Sequence, residues 1–138
     1  MRRKARLCGS WRTFNGGGTE RFVHEMSIVA GVIDAVVPSA EQAGADKVLA
    51  ITLRIGDMTE VVDEALEFAF EALTEGTMCE GAELHVTKIH PRSLCFECGN
   101  EFDHDRFHRI CPECGSYETR IVAGKELEIE SIEVDLPE

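Results

Sequence analysis

Four cysteines set the plainest chemistry available to this chain. In the stretch CFECGNEFDHDRFHRICPECG they stand as Cys95-x2-Cys98 and Cys111-x2-Cys114, with 12 residues between the pairs. Two intervening residues let both thiolates of one knuckle approach a single ion while backbone amides turn toward the sulfurs. Gly99 and Gly115 follow the two pairs, where a knuckle demands a backbone angle that costs glycine little. Two such knuckles complete a tetrahedron of sulfur. That donor set selects Zn(II), or iron in a rubredoxin-like electron carrier. A closed site of four thiolates leaves no position open for a substrate, so the ion is expected to be structural. A module this small cannot build an adequate core alone, and metal binding would supply its folding energy. His104 and His108, between the knuckles, are expected to be solvated loop residues. Phe96, Phe102 and Phe107 are expected to pack around the knuckles rather than stack on bases.

A second stretch, TERFVHEMSIVAGVI, carries His24-Glu25-Met26. A histidine placed directly after a free terminal residue gathers an amine, two amide nitrogens and its imidazole. Such a planar nitrogen set suits Ni(II) or Cu(II). Inside a chain the amine is a peptide nitrogen without an available lone pair, and the grip weakens. The remaining cysteines, Cys8 and Cys79, have no partner base in view, and Cys79 reads as a small buried apolar residue. With no phosphate-binding loop and no nucleophile–base pair, the sequence does not read as an enzyme.

The elements that must position these groups follow from hydrophobic period. From Met26, Ile28, Val29, Val32, Ile33, Val36, Val37 and Ala40 recur at helical spacing. Ser27 is placed to cap this helix, Pro38 to kink or break it near Val37, and Gly44 to end it. KVLAITLRIG alternates as a strand, with Leu49, Ile51, Leu53 and Ile55 in one phase. EVVDEALEFAFEALTEG is a second helix with its stripe on Val62, Leu66, Ala69, Phe70 and Leu73, stopped by Gly76. AELHVTKIH is a second strand. KELEIESIEVDL is a third, in which Leu127 and Ile129 keep one phase while Ile132, Val134 and Leu136 keep the other. That slip calls for a bulge. The expected fold is therefore α+β: two helices on one face of a three-stranded sheet, with the four-cysteine module inserted between its second and third strands. The boundaries read as 23–90 and 122–138 for the α/β domain and 91–121 for the metal module.

Charge divides the chain unevenly. Residues 1–22 hold six basic residues and one acid, a net of +5, whereas residues 23–138 carry −17. The first 22 residues, with their triple glycine and no period, read as disordered. An acidic body repels phosphate backbones, which weighs against the rival reading of a zinc-ribbon module binding nucleic acid or protein. No apolar run reaches the length of a membrane span, and no signal-peptide core follows the basic start, so a cytoplasmic protein free of membrane contact is expected.

In combination, HEMSIVAGVI, CFECG…CPECGS and GKELEIESIEV resemble the HypA family of hydrogenase-maturation nickel chaperones across residues 23–138. The resemblance implies a nickel-binding α/β domain carrying structural zinc at Cys95, Cys98, Cys111 and Cys114. It implies Ni(II) as transient cargo on His24, with the nitrogens of residues 23–25 assisting and Glu25 tuning the site. Asp63 matches loosely a further carboxylate of some members. The implied partners are a HypB-type GTPase, the precursor of a hydrogenase large subunit and urease maturation proteins, with the chain itself a monomer or weak homodimer. Family members begin Met-His-Glu, whereas Val23 stands where their initiator methionine does. Since the valine codon GTG is an alternative bacterial start, initiation at Val23 is expected, leaving residues 1–22 outside the natural protein. The rival reading is a genuine basic arm or targeting segment.

Overall fold

The computed structural model describes residues 3–8, 25–59, 61–105 and 108–137. In chain order the elements are β1 (Arg3–Leu7), α1 (Glu25–Gln42), β2 (Lys47–Gly56), α2 (Asp63–Thr74), β3 (Glu83–Ile89), β4 (Arg92–Cys95), β5 (Glu101–Asp103), β6 (Thr119–Ala123) and β7 (Leu127–Leu136). They form two sheets, β1-β7-β2-β3 and β5-β4-β6. In the larger sheet β2 and β3 are parallel, joined through α2, while β7 runs antiparallel to both β2 and β1. The smaller sheet is antiparallel and interrupts the chain between β3 and β7.

The helical stripes read from the sequence bury as a unit. Ile28, Val29, Val32, Val36 and Ala40 of α1 share one core with Leu66, Ala69 and Phe70 of α2 and with the apolar rows of β2 and β7. Gly44 and Gly76, both at φ +81°, follow the two helices, a conformation glycine adopts without the steric cost of a Cβ. The slip in β7 is a bulge. Thr52 pairs with Ser131 but Leu53 pairs with Ile129, so Glu130 is the extra residue. Leu127 and Ile129 thus reach the same core as Ile132 and Val134.

Several expectations need correction. A second irregularity falls at Leu49, because Val48 pairs with Val134 while Ala50 pairs with Glu133. Val48, not Leu49, therefore joins Ile51, Leu53 and Ile55 in the core. Helix α1 passes through Pro38 without a break, and Pro38 lies on the exposed side, away from the packed stripe. Ser27 sits within its first turn, since the helix is already formed at Glu25. Val62 precedes α2 and is 57% exposed, while Val61 packs on the core instead.

The sheet has four strands rather than three, and the extra one comes from the stretch read as disordered. Residues 3–7 pair along the outer edge of β7 from Arg3 opposite Leu136 to Leu7 opposite Ile132. The alternation of Lys4 and Arg6 with Ala5 and Leu7 is only four residues long and lies in a basic tract, too short to announce a strand by itself. Residues 1, 2 and 9–22 of that stretch, together with Val23 and His24, lie outside the described residues.

Candidate metal centres

In the smaller sheet both cysteine pairs form the same turn. The amide of Gly99 donates to the carbonyl of Cys95 at 2.9 Å, and that of Gly115 to Cys111 at 2.8 Å. The amide of Cys95 reaches the carbonyl of Asn100 at 2.9 Å, and that of Cys111 reaches Ser116 at 3.0 Å. Gly99 and Gly115 sit at φ +75° and +74°, as the knuckle reading requires. The two turns face each other. Sγ of Cys95 lies 3.6 Å from that of Cys114, Sγ of Cys98 lies 3.5 Å from that of Cys111, and all four fall within 4.8 Å of one another. A tetrahedron of sulfurs about 2.3 Å from zinc has edges of about 3.8 Å, so the donor set fits that ion.

The electrostatics point the same way. Burial would raise the Cys111 thiol, yet main-chain groups of Cys114 and Glu113 and the neighbouring Cys98 thiol bring it down to about 6. A main-chain hydrogen bond at Ser116 favours the Cys114 thiolate, but the crowding thiols of Cys95, Cys98 and Cys111 push that group up to about 12. One thiolate forms readily and opposes the next. A divalent cation removes that opposition and holds all four as thiolates. Cys95 and Cys111 pack with Phe102 in a separate small core, while Cys98 and Cys114 are exposed.

His104 departs from expectation. It is buried beside Phe102, with Nδ1 donating to the carbonyl of Asp105 at 2.6 Å and Nε2 accepting from Ser93 Oγ at 2.7 Å. Both ring nitrogens are engaged, which ties β4 to the segment after β5. His108 is exposed as expected and contacts Asp105 at 2.7 Å. Phe96 is not packing material: it is 61% exposed, with the Arg120 guanidinium 6.0 Å from its ring centre. Phe107 lies outside the described residues.

At the other candidate centre, Glu25 opens α1 and reaches across to α2. Its Oε2 accepts the amide of Val62 at 3.0 Å, across 37 residues of chain. Val62 is the N-cap of α2 and no side-chain hydrogen bond caps the helix from that position, so Glu25 supplies an anion to the orphan amide at the start of the helix. Asp63, next in the chain, holds Lys88 of β3 at 2.8 Å. Val62 and Lys88 also line a cleft of about 540 Å³ with Asp57, Thr59, Val61, His90, Pro91 and Asp105, where the two sheets adjoin. His90 is exposed in it, 3.9 Å from Asp57, and His85 is exposed beside Glu83. No sequence signal pointed to the cleft, because its walls come from separate turns and strands. Cys79 is fully buried in the main core, and burial pushes its thiol up. Among the described residues, the four cysteines form the one cluster of three or more side chains able to share a metal ion, and no helix is long and apolar enough to cross a membrane.

Comparison with known proteins agrees with this arrangement. The family model "Hydrogenase/urease nickel incorporation, metallochaperone, hypA" matches residues 23–134. The hydrogenase maturation factor HypA of Geobacter metallireducens is 43% identical over 113 residues, covering 82% of this chain and 100% of that protein. Its counterpart from Prosthecochloris aestuarii is 46% identical over the same shares. The solution structure of the Ni metallochaperone HypA from Helicobacter pylori superposes with a TM-score of 0.62 at 26% identity, covering 83% of this chain and 99% of that one. The chain belongs to the HypA family of nickel metallochaperones.

Proposed function

We propose that this chain binds Ni(II) at His24 when Val23 supplies a free amino terminus, and hands the ion on for maturation of a [NiFe] hydrogenase. The observation that carries the reading is where the family match starts. It begins at residue 23, and aligned relatives are matched over their whole length, so His24 stands second in the shared region. The terminal amine, the nitrogens of residues 24 and 25 and the imidazole then form the planar set that Ni(II) favours. Glu25 would hold that set against α2 through its bond to Val62. Asp63 follows Val62 and would bring a carboxylate near the grip, in competition with Lys88.

Cargo must leave as well as arrive. A site on the first residues of a chain exchanges its ion without unfolding a core. Zinc on the four cysteines is the resident metal and shapes the smaller sheet. Its chemistry there is to hold two knuckles together, and the chain's own amides and Phe102 orient the sulfurs. A GTPase of the HypB type, the precursor of a hydrogenase large subunit and urease maturation proteins are the partners this role calls for, with the cytoplasm as its place. The acidic body opposes the zinc-ribbon reading with nucleic acid as ligand.

Calorimetric titration of Ni(II) into three proteins tests the reading. They are a short form beginning Met-His24-Glu25, its His24→Ala version, and the full chain. The short form is expected to bind one nickel and the others to bind it poorly. Equal binding by all three would place the site away from His24.

A further inference from the structure

The outer edge of β7 is 10 residues long, and β1 covers only half of it. On its other side β7 pairs with β2 from Asp135 to Leu127. On the outer side the pairing stops at Ile132, and residues 127–131 face no strand among the described residues. The edge has a repeating chemistry. Toward the helices it presents Leu127, Ile129, Ile132 and Val134. Away from them it presents Glu128, Glu130 and Glu133, with Asp135 at the end. The strand that lies on it has the complementary repeat. Ala5 faces Val134 and Leu7 faces Ile132, both packing on the core, while Lys4 faces Asp135 and Arg6 faces Glu133. Arg6 also reaches Glu130 at 3.6 Å.

We infer that the outer edge of β7 is a strand-docking site for an extended segment of a partner protein that alternates basic and apolar side chains, with residues 3–7 as a displaceable cap. Added strands gain affinity from main-chain hydrogen bonds and specificity from the side chains they alternate. The cap is weak as strands go. It brings five residues, two half-buried apolar side chains and an ion pair at an exposed rim. A segment matching the whole edge would pair with residues 127–136, gaining apolar contact with Leu127 and Ile129 and one further acid, Glu128. An uncovered edge of this kind is an aggregation hazard, which favours its being covered by a cap or by a bound partner. A chain initiated at Val23 would present the same edge open from end to end. The inference does not depend on the nickel site.

The test uses the full chain and a fluorescein-labelled peptide as long as β7, 10 residues of alternating lysine and valine. A peptide of the same composition with its valines grouped is the control. The alternating peptide is expected to bind, and Glu130→Lys/Glu133→Lys to weaken it by about tenfold or more. Lys4→Glu/Arg6→Glu, which loosens the cap, is expected to tighten binding by about tenfold as the tethered competitor is lost. Amide exchange on the unmodified chain decides the matter without any substitution. At saturating peptide, residues 3–7 should lose protection while 127–131 gain it. Equal binding of the grouped peptide, or protection of residues 3–7 unchanged at saturation, would overturn the proposal. A concentration-dependent dimer by light scattering that Lys4→Glu/Arg6→Glu abolishes would also overturn it, placing residues 3–7 of a second copy on the edge.

Discussion

Glu25 joins the start of α1 to α2 and stands beside the proposed nickel ligand in the chain, so replacing it separates two roles. Its carboxylate caps α2 from outside through the Val62 amide at 3.0 Å. Removing a capping acceptor costs about 1 kcal/mol. Losing an anion at a helix N-terminus costs about 0.5 kcal/mol more at an exposed site. Glu25→Ala should therefore destabilise the protein by about 1.5 kcal/mol, a fall in Tm of about 5 °C for a chain of this size. Glu25→Gln keeps an oxygen acceptor and should lose only the charge term, about 0.5 kcal/mol. Both variants retain the peptide nitrogen of residue 25, so a change in nickel affinity reports the carboxylate and not that donor. If the anchor contributes about 1 kcal/mol to ordering the first turn of α1, Glu25→Ala in the short form should bind Ni(II) about fivefold more weakly. Glutamine at this position should stay within about twofold of the parent. Urea denaturation and nickel calorimetry on the same preparations measure both effects. Alanine as stable as the parent, or glutamine as damaging as alanine, would refute the capping argument.

Two further outcomes follow from the geometry. Cys111→Ser, or a chelator that strips zinc, should abolish the structure of residues 92–123 while β2, β3, β7 and both helices stay folded, because the two cores are separate. Amide exchange by segment, with zinc counted by elemental analysis, checks this, and simultaneous loss of both sheets would contradict it. Gly56→Ala should destabilise the protein by about 3 kcal/mol or more, since its Cβ would overlap the backbone of Gly124 and Lys125 where the chain returns from the smaller sheet. An equilibrium unfolding curve within about 0.5 kcal/mol of the parent would show that this crossing relaxes freely.

Legibility in the sequence followed the range of the interaction. Both helical stripes, the three long strands and the bulge in β7 were readable because each depends on neighbours a few residues apart. Ile129 and Ile132 cannot share a core unless one residue between them is extra, and the order of apolar residues states that outright. The companion irregularity at Leu49 was hidden, because Val48 and Leu49 are both apolar and either phase satisfies the pattern. The buried state of His104 was hidden as well. Its partners are Ser93 on another strand and its own neighbour's carbonyl, and nothing local marks a histidine as enclosed.

The cysteine spacing and the following glycines determined the metal module. Two residues between thiols set the reach of a knuckle, and that geometry is local. Tertiary structure alone decided three other things. It brought Glu25 to Val62, 37 residues away, and so tied the start of α1 to α2. It built the cleft at the join of the two sheets from turns and strands that share no pattern. It also turned a basic tract into a fourth strand, because an unpaired edge of β7 with alternating acids lay within its reach. A period repeats along a chain and can be read there. A meeting of distant segments depends on how the whole chain closes, and only the folded arrangement contains it.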